Sequence, residues 1–379
     1  MPANIRSIDP GPVRPFSSRI QPAPRDGGFA MEDFWIWCGS VVRGEDRRYH
    51  MFASRWPKAY PFYSGYLYFS EIVRAVADRP AGPYQFQEVV LPARGTQFWD
   101  GQMTHNPVVV RQGDQYLLFH IGTTFSGPKP TPAELRQEPS GGRAANVPSI
   151  GLATARSVFG PWQRRDQPIL TPRPDHWDHS VITNPAPCVL ANGRIFMLYR
   201  SYGAQIGAAC AAGPDVPFVR LGEAPVVPFS GPNRIEDMCV WQTGDRFEML
   251  AKDLTPDGAL CGEIHAGLHA FSDDGLTWTL AKPAKAYSRQ VLWADGATTI
   301  QGCLERPQIL IEDGQPTHLF AATGDGPGGF NHCTKTWNMA IPLRGACKTS
   351  RDMGLLPMQH GLEARGTIAN PASCKRPLR

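Results

Sequence analysis

The feature that most constrains this chain is a weak internal repeat. The pattern is clearest where Trp99-Asp100 stands six residues ahead of Asn106-Pro107, followed by an apolar run, a turn and an aromatic-rich run. It returns at the same spacing in Trp177-Asp178 and Asn184-Pro185. A further copy begins at Asp33, and two looser copies begin at Glu236 and Glu305. Two short apolar runs joined by a turn containing Gly, Asn or Asp are typical of a β-hairpin, so the repeat predicts five hairpins.

A second signature follows the first three copies at a constant spacing. An Ala-x-Ala segment leads to a Pro and then an aromatic residue, which is Tyr84, Trp162 or Phe218. The fourth copy has Asp273-x-Gly275-x-Thr277-Trp278 at this place, which resembles the Asp box of sialidases, a stabilising hairpin turn remote from chemistry. Each unit therefore holds four strands in roughly 55 to 80 residues, the size of a propeller blade.

These repeats predict an all-β fold, a five-bladed β-propeller with four-stranded antiparallel blades around a central channel. We place the propeller at residues 31–343, between an N-terminal segment, 1–30, and a C-terminal tail, 344–379. The last blade is completed either by Asn338–Pro342 or by an N-terminal strand. The 38 glycines and 37 prolines supply the turns that such a fold needs. A large β-sandwich also has short strands, but it would not explain five copies.

Composition narrows the range of partners and locations. The net charge is only +4 and the basic residues are scattered, which argues against nucleic acid and anionic membrane as partners. The nine cysteines form no Cys-x-x-Cys pair and mostly lie in apolar runs, which indicates reduced, buried thiols. No apolar stretch reaches eighteen residues and the N-terminus has no apolar core. We therefore expect a cytoplasmic protein without a secretion signal or membrane span; its oligomeric state stays open.

The predicted channel gathers polar residues at one mouth. The first strand of each blade lines the channel, so side chains near the beginnings of these strands converge. The residues just before the Asn-Pro anchor, or its equivalent, are Cys38, His105, Thr183, Glu236 and Glu305. The first three copies also place Asp33, Asp100 and Asp178 six residues before the anchor. Arg306 joins them with the aromatic residues Trp35, Trp37, Trp99, Trp177, His179 and Trp293.

Carboxylates beside aromatic rings favour sugar chemistry. Glycoside hydrolysis needs one protonated carboxyl that donates to the leaving oxygen and one ionised carboxylate that activates water or attacks the anomeric carbon. Crowded like charges raise some carboxyl pKa values, while Arg306 would keep a neighbouring carboxylate ionised. We expect no cofactor; a structural divalent cation in the channel, with His105 as a ligand, is left open.

The hairpins, the Ala-x-Ala signature and Glu236 at the start of the fourth copy resemble the five-bladed propeller glycosidases of glycoside hydrolase family 43 and its relatives. The resemblance implies an inverting glycosidase with an Asp base, an Asp that tunes the acid and a Glu acid. By position Glu236 matches the acid. Where the family has Asp-Pro, this sequence has Gly39-Ser40 in the first copy and Asn184-Pro185 in the third. We therefore assign the base to Asp33 and the tuning role to Asp178.

The resemblance also implies a glycoside or oligosaccharide substrate and a set of residues that bind it. Glu305-Arg306-Pro307 resembles a place where some family members carry a substrate-binding arginine. The predicted substrate-binding residues are Asp100, His105, Glu305, Arg306, Trp35, Trp177 and Asp237.

Other interpretations remain open. Each aspartate could instead cap a turn, Glu305 and Arg306 could form a bracing ion pair, and His105 could be a hydrogen-bonded channel residue. One alternative function is a glycoside phosphorylase, because Glu236-Asp237 resembles part of the Glu-Asp-Pro-Arg element of propeller mannoside phosphorylases. Another is a carbohydrate-binding propeller without catalysis.

Overall fold

The computed structural model describes residues 15–137, 147–226, 234–329 and 332–345. They form a five-bladed β-propeller of antiparallel sheets, so the predicted fold is confirmed. Blade one holds β1 (Phe34–Arg43), β2 (Tyr49–Pro57), β3 (Glu71–Ala77) and β4 (Gln85–Leu91). Blade two holds β5 (Met103–Gln112), β6 (Gln115–Thr123), β7 (Ser149–Ala155) and β8 (Gln163–Arg164). Blade three holds β9 (Thr183–Val189), β10 (Ile195–Arg200), β11 (Ile206–Ala211) and β12 (Val219–Arg220).

Blade four again has four strands, whereas blade five has three. Blade four holds β13 (Ile235–Thr243), β14 (Arg246–Asp253), β15 (Gly267–Ser272) and β16 (Thr279–Tyr287). A small hairpin follows, made of β17 (Gln290–Leu292) and β18 (Thr298–Ile300). Blade five holds three strands, β19 (Cys303–Glu312), β20 (Gln315–Gly324) and β21 (Thr336–Pro342). Two short helices interrupt the sheets, α1 (Phe62–Phe69) between β2 and β3 and α2 (Pro132–Gln137) after β6.

The five innermost strands close a ring. β1 contacts β5, β5 contacts β9, β9 contacts β13, β13 contacts β19, and β19 contacts β1 again. Their N-terminal halves therefore face a common channel.

Both of the segments that the sequence offered for completing blade five contribute to it. The residues from Asn338 to Pro342 belong to its third strand, β21. The N-terminal segment pairs with the outer edge of this strand, because Phe29 and Asn338 exchange two backbone hydrogen bonds of 2.8 and 2.9 Å and Gln21 N donates to Pro342 O at 3.0 Å. Residues 1–14 and 346–379 lie outside the described part of the chain, and so does most of the predicted tail.

Aromatic pairs fill the gaps between neighbouring blades. Each pair is expected to contribute about 0.5–1.5 kcal/mol beyond its buried area. The pairs with their ring-centroid distances are Phe52 with Trp162 at 5.2 Å, Phe119 with Phe218 at 5.9 Å, Phe196 with Phe247 at 4.8 Å, and Tyr84 with Phe320 at 6.3 Å. Of the aromatic residues in the second repeat signature, Tyr84 and Phe218 are therefore core residues, and the partly buried Trp162 packs against the core.

The predicted Asp-box turn is present with a shift of one residue. Asp274, rather than the matched Asp273, caps the turn by accepting hydrogen bonds from the backbone of Leu276 and Thr277 at 2.8 and 2.7 Å. Trp278 is buried in the core beside blade three.

Within the described ranges, no helix combines the length and apolarity needed to cross a membrane.

Candidate active site

The five inner strands share one unusual backbone position. Each has a residue with left-handed φ where the pairing with the second strand shifts register, as in a β-bulge. These residues and their φ values are Cys38 (56°), Asn106 (53°), Asn184 (51°), Asp237 (60°) and Arg306 (54°). The first copy of the repeat is therefore aligned on Cys38-Gly39 rather than Gly39-Ser40. Trp37, and not Cys38, is the equivalent of His105.

The five bulge side chains are linked in series by hydrogen bonds around the channel, and we call these five residues the channel ring. Cys38 Sγ donates to Asn106 Oδ1 at 2.9 Å, and Asn106 Nδ2 donates to Asn184 Oδ1 at 2.7 Å. Asn184 Nδ2 and Arg306 Nη1 both donate to Asp237 Oδ1, at 2.9 and 3.4 Å. Arg306 also interacts electrostatically with Cys38, so the two ends of this series of hydrogen bonds lie close to each other. All five residues are buried, as hydrogen-bonded polar groups in a protein interior can be.

A cavity of about 170 Å³ lies at the channel ring. The residues one position before the ring in blades two to five all line it: His105, Thr183, Glu236 and Glu305. β10 and β14 add Arg200 and Lys252. The aromatic lining comes from β1, β2 and α1 and consists of Trp37, Trp56, Phe62, Tyr63 and Tyr66.

Lys252 connects the carboxylates of this cavity. Its Nζ lies 3.0 Å from Glu236 Oε2, 3.0 Å from Glu305 Oε2 and 3.6 Å from Asp237 Oδ2, and the residue is only 4% exposed. Burial lowers the pKa of an ammonium group, but the three carboxylates outweigh it and hold the pKa of Lys252 well above its usual value. A permanent positive charge therefore lies between the two glutamates.

The two glutamates have opposite pKa displacements. Burial raises the pKa of Glu305 to about 7, because the attraction of Lys252 is countered by the charges of Asp237 and Glu236. Burial also acts on Glu236, but Lys252 and Arg200 outweigh it and lower its pKa to about 2. Arg200 Nε lies 3.1 Å from Glu236 Oε1. At neutral pH Glu236 is ionised, while Glu305 carries a proton much of the time.

Helix α1 forms an aromatic wall over one side of the cavity. The Tyr66 ring stacks on His105 with centroids 4.8 Å apart, and Phe62 packs edge-on against Trp37 at 4.9 Å. His105 Nδ1 and Ser70 Oγ are hydrogen-bonded at 2.7 Å. Burial lowers the pKa of His105 to about 3, so this histidine is neutral at physiological pH.

The expectation that Asp100 and Asp178 converge in the channel mouth is wrong. Both carboxylates are completely buried outside the cavity lining, where arginines neutralise them. Asp100 pairs with Arg94 at 2.6 Å, whereas Asp178 pairs with Arg173 and Arg220 at 2.8 and 2.7 Å. They tie the segments before β5 and β9 to their own blades, which is the structural role that a repeated residue often has.

Three further residues lie elsewhere than expected. Asp33 is exposed at the turn before β1 and does not line the cavity. Trp35 is buried behind the aromatic wall, where its Nε1 donates to Tyr60 O at 3.0 Å. Trp177 stacks on Tyr199 at 6.0 Å beside Asp178. Asp33 and Trp177 lie five and seven positions before the bulge residues Cys38 and Asn184, and both precede the inner strands that line the cavity. Trp35 lies on β1, three positions before Cys38, but its side chain packs against Phe62 of α1.

The structure brings together Glu236, Asp237, His105, Glu305 and Arg306 of the predicted site. Sequence reasoning missed Lys252, Arg200 and Tyr66. The sequence did carry a signal for Lys252. This lysine directly follows the apolar run Met249-Leu250-Ala251 on a predicted strand, and a lysine is rarely buried unless it is paired.

The donor set of the channel does not fit a divalent cation. Within the described part of the chain, no three His, Cys, Asp or Glu side chains are grouped so that they could hold a metal ion. The carboxylates at the channel instead face the cationic groups of Lys252 and Arg306, which would repel a metal ion.

Known proteins match this chain in structure but not in sequence. No family model and no curated protein match the sequence. A solved structure described as a glycoside hydrolase has a TM-score of 0.62 at 14% identity, covering 88% of this chain and 95% of its own. Zg3597, a family 117 glycoside hydrolase of the marine bacterium Zobellia galactanivorans, has a TM-score of 0.59 at 14% identity, covering 86% of this chain and 88% of its own.

A thermostable family-43 glycoside hydrolase has a TM-score of 0.52 at 12% identity, covering 92% of this chain and 100% of its own. At such identities the likeness concerns the fold. The predicted resemblance to the family 43 propellers is therefore confirmed at the level of the fold, and the chain has the five-bladed propeller architecture of these hydrolases.

Proposed function

We propose that this chain is a glycoside hydrolase that acts through Glu236 and Glu305. One observation carries the proposal: the two glutamates share Lys252 in an aromatic cavity, and their pKa values lie on opposite sides of the usual range. A carboxyl that is protonated near pH 7 beside one that is ionised is the requirement of glycosidic bond cleavage. The likeness of the fold to glycoside hydrolases adds support.

The electrostatics assign the roles differently from the sequence. Glu305 donates the proton to the leaving glycosidic oxygen, because it is the carboxyl with the raised pKa. Glu236 remains ionised and faces the anomeric carbon. The earlier assignment of Glu236 as the acid conflicts with its pairing with Lys252 and Arg200. Asp33 has no part in this mechanism, since it does not line the cavity.

The spacing of the pair supports retention of configuration. Both Oε2 atoms lie 3.0 Å from Lys252 Nζ, so they cannot be further apart than twice that distance. Inverting enzymes separate their carboxyl groups by roughly 6.5–9.5 Å to admit a water, whereas retaining enzymes use about 5–5.5 Å. Glu236 is therefore proposed to attack the anomeric carbon, and Glu305 then activates the water that releases the sugar.

The shape of the cavity supports a chain end as substrate. Its volume of about 170 Å³ is below the roughly 300–1,000 Å³ of common ligand sites, so it suits a single sugar ring. The aromatic wall of α1 provides a stacking face for that ring. We therefore expect cleavage of one terminal residue at a time.

A hydrolysis screen over a glycan library, with and without inorganic phosphate, tests the proposal. We expect release of a monosaccharide independent of phosphate, with the anomeric configuration of the substrate retained in the first product seen by NMR. Glu305→Gln and Glu236→Gln should each reduce turnover at least a hundredfold. Asp33→Asn is the matched control and should retain activity. Sugar 1-phosphate formed only with phosphate would establish phosphorolysis instead.

A carbohydrate-binding propeller without turnover is the second candidate. The observation that favours it is the channel ring, which has Cys38 and Asn184 at the anchor positions where the resembling family carries aspartates. Under this alternative the library yields no products, while calorimetry detects binding of a glycan that Tyr66→Ala weakens.

A further inference from the structure

Two cysteines of blade five lie against each other next to the cavity. Cys303 is the first residue of β19, two positions before Glu305. Cys333 lies in the connection from β20 to β21, whose described parts are residues 325–329 and 332–335. Their thiols are hydrogen-bonded to each other, and the residues are 2% and 9% exposed. Elements far apart in the sequence thus bring two sulfur atoms together.

Two glycines make room for this pair. A Cβ at Gly324 would lie 2.1 Å from Cys333 Sγ and 3.5 Å from Cys303 Sγ, and a Cβ at Gly302 would lie 2.9 Å from Cys333 Sγ. Any other residue at these positions would therefore force the Cys333 sulfur to move. The backbone at Gly302 and Gly324 thus borders the space that the sulfur atoms occupy.

The two thiols of the pair have opposite pKa displacements: the hydrogen bond to Cys333 and burial raise the pKa of the Cys303 thiol well above its usual value. Burial raises the pKa of Cys38 and of Cys239 to about 12. The hydrogen bond from Cys303 lowers the pKa of Cys333. The thiolate is the nucleophile in disulfide exchange, and Cys333 stands between the exposed residues His332 and Thr334. Cys333 is thus the thiol that meets a reagent first.

We propose that Cys303 and Cys333 form a reversible disulfide by exchange with a small-molecule disulfide. The Cys333 thiolate attacks one sulfur of the reagent, forms a mixed disulfide and releases one thiol. The Cys303 thiol then loses its proton and attacks the Cys333 sulfur, which expels the second thiol. The protein loses two electrons and two protons, and one reagent disulfide becomes two thiols.

The bond has a defined structural consequence. It joins the first residue of an inner strand to the connection between β20 and β21, and it encloses the whole β19–β20 hairpin. A cross-link that closes a loop of this length stabilises a protein by restricting its unfolded chain. This inference is independent of the proposed glycosidase activity.

Peptide mapping of the full chain tests the proposal. The reduced protein is incubated with oxidised glutathione, its free thiols are alkylated, and the digest is analysed by mass spectrometry without reduction. We expect a cross-linked peptide pair containing Cys303 and Cys333, and a rise of a few degrees in melting temperature that dithiothreitol reverses. Cys261→Ser is the matched control and should keep both effects: the Cys261 thiol donates to Glu263 O, as the Cys333 thiol does to Gly329 O, but it has no hydrogen bond with a second thiol among the described residues.

The proposal is overturned if Cys303 and Cys333 are both recovered alkylated. It is equally overturned if Cys333 stays as a mixed disulfide with glutathione while Cys303 is alkylated. The mapping is done on the unmodified sequence, so it does not depend on a variant folding. Cys303→Ser and Cys333→Ser then serve as confirmation, and each should abolish the reversible rise in melting temperature.

Discussion

At the residue scale, the protonation states of Glu236 and Glu305 are controlled by charged residues from different blades. Glu236 and Glu305 begin neighbouring inner strands, whereas Lys252 comes from β14 and Arg200 from β10. The position of each glutamate next to a repeat anchor made both predictable from the sequence. Their protonation states were not predictable, because these depend on through-space neighbours that the repeat does not mark.

The raised pKa of Glu305 predicts how activity varies with pH. A proton donor is active only while protonated, so kcat/KM should fall as the pH rises through about 7, by about tenfold for each further unit. On the acid side, Glu236 stays ionised down to a pH of about 2. A pH profile of kcat/KM checks this, and a profile that stays flat from pH 6 to pH 9 would exclude Glu305 as the donor.

Removing Lys252 should destabilise the protein strongly. The Lys252→Met variant leaves two glutamates and Asp237 close together without their shared cation, and loss of one partner of a buried ion pair costs about 3–5 kcal/mol. Urea unfolding followed by tryptophan fluorescence measures the difference. Lys58→Met is the control for loss of a lysine, because Lys58 lies outside the cavity lining. An unchanged unfolding midpoint for Lys252→Met would contradict the role of this lysine.

At the element scale, the strands were predictable but the places of the loop aspartates were not. Hairpins follow from local patterns of apolar runs and turns, which the sequence displays directly. The first copy of the repeat was aligned one residue late, because Cys38-Gly39 has no proline to mark the bulge. For Asp100 and Asp178, the partners Arg94 and Arg173 lie several residues earlier in irregular loops, where no periodicity indicates a contact.

The buried ion pairs of Asp178 predict a pH-dependent stability. Its pKa is lowered, since burial is outweighed by hydrogen bonds and charges from Arg173 and Arg220. A carboxyl whose folded pKa is depressed contributes stability above its unfolded pKa of about 3.9 and loses it as the pH falls through the folded value. Asp178→Asn should therefore lower the free energy of unfolding at pH 7 by about 3 kcal/mol or more, and this loss should become smaller as the pH falls below about 3.9.

Asp33→Asn is the matched control for this experiment, because Asp33 is an exposed aspartate that precedes the inner strand of its blade, whereas Asp178 is a buried aspartate that precedes the inner strand of blade three. Its unfolding midpoint should equal that of the parent at both pH values. Equal effects of the two substitutions would show that Asp178 is not the structural anchor described above.

At the scale of the whole molecule, the ring depends on a segment that has no strand pattern of its own. The N-terminal residues pair with β21 mainly through backbone groups, such as those of Phe29 and Asn338, so side-chain periodicity could not reveal the closure. The buried ring of Phe16 packs near Trp241 at 6.1 Å and anchors the segment on blade four as well. The segment thereby connects the beginning of the chain to its last blades.

Removal of this segment should open the propeller. A variant that begins at residue 30 leaves the outer edge of β21 unpaired and exposes the surface that Phe16 and Phe29 cover. Unpaired strand edges promote association between chains. We expect a clearly lower melting temperature and aggregation in size-exclusion chromatography, whereas a control variant that begins at residue 15 keeps the closing contacts and should match the parent. If both variants have the melting temperature of the parent, the contacts of β1 with the strands of blade five close the ring without this segment.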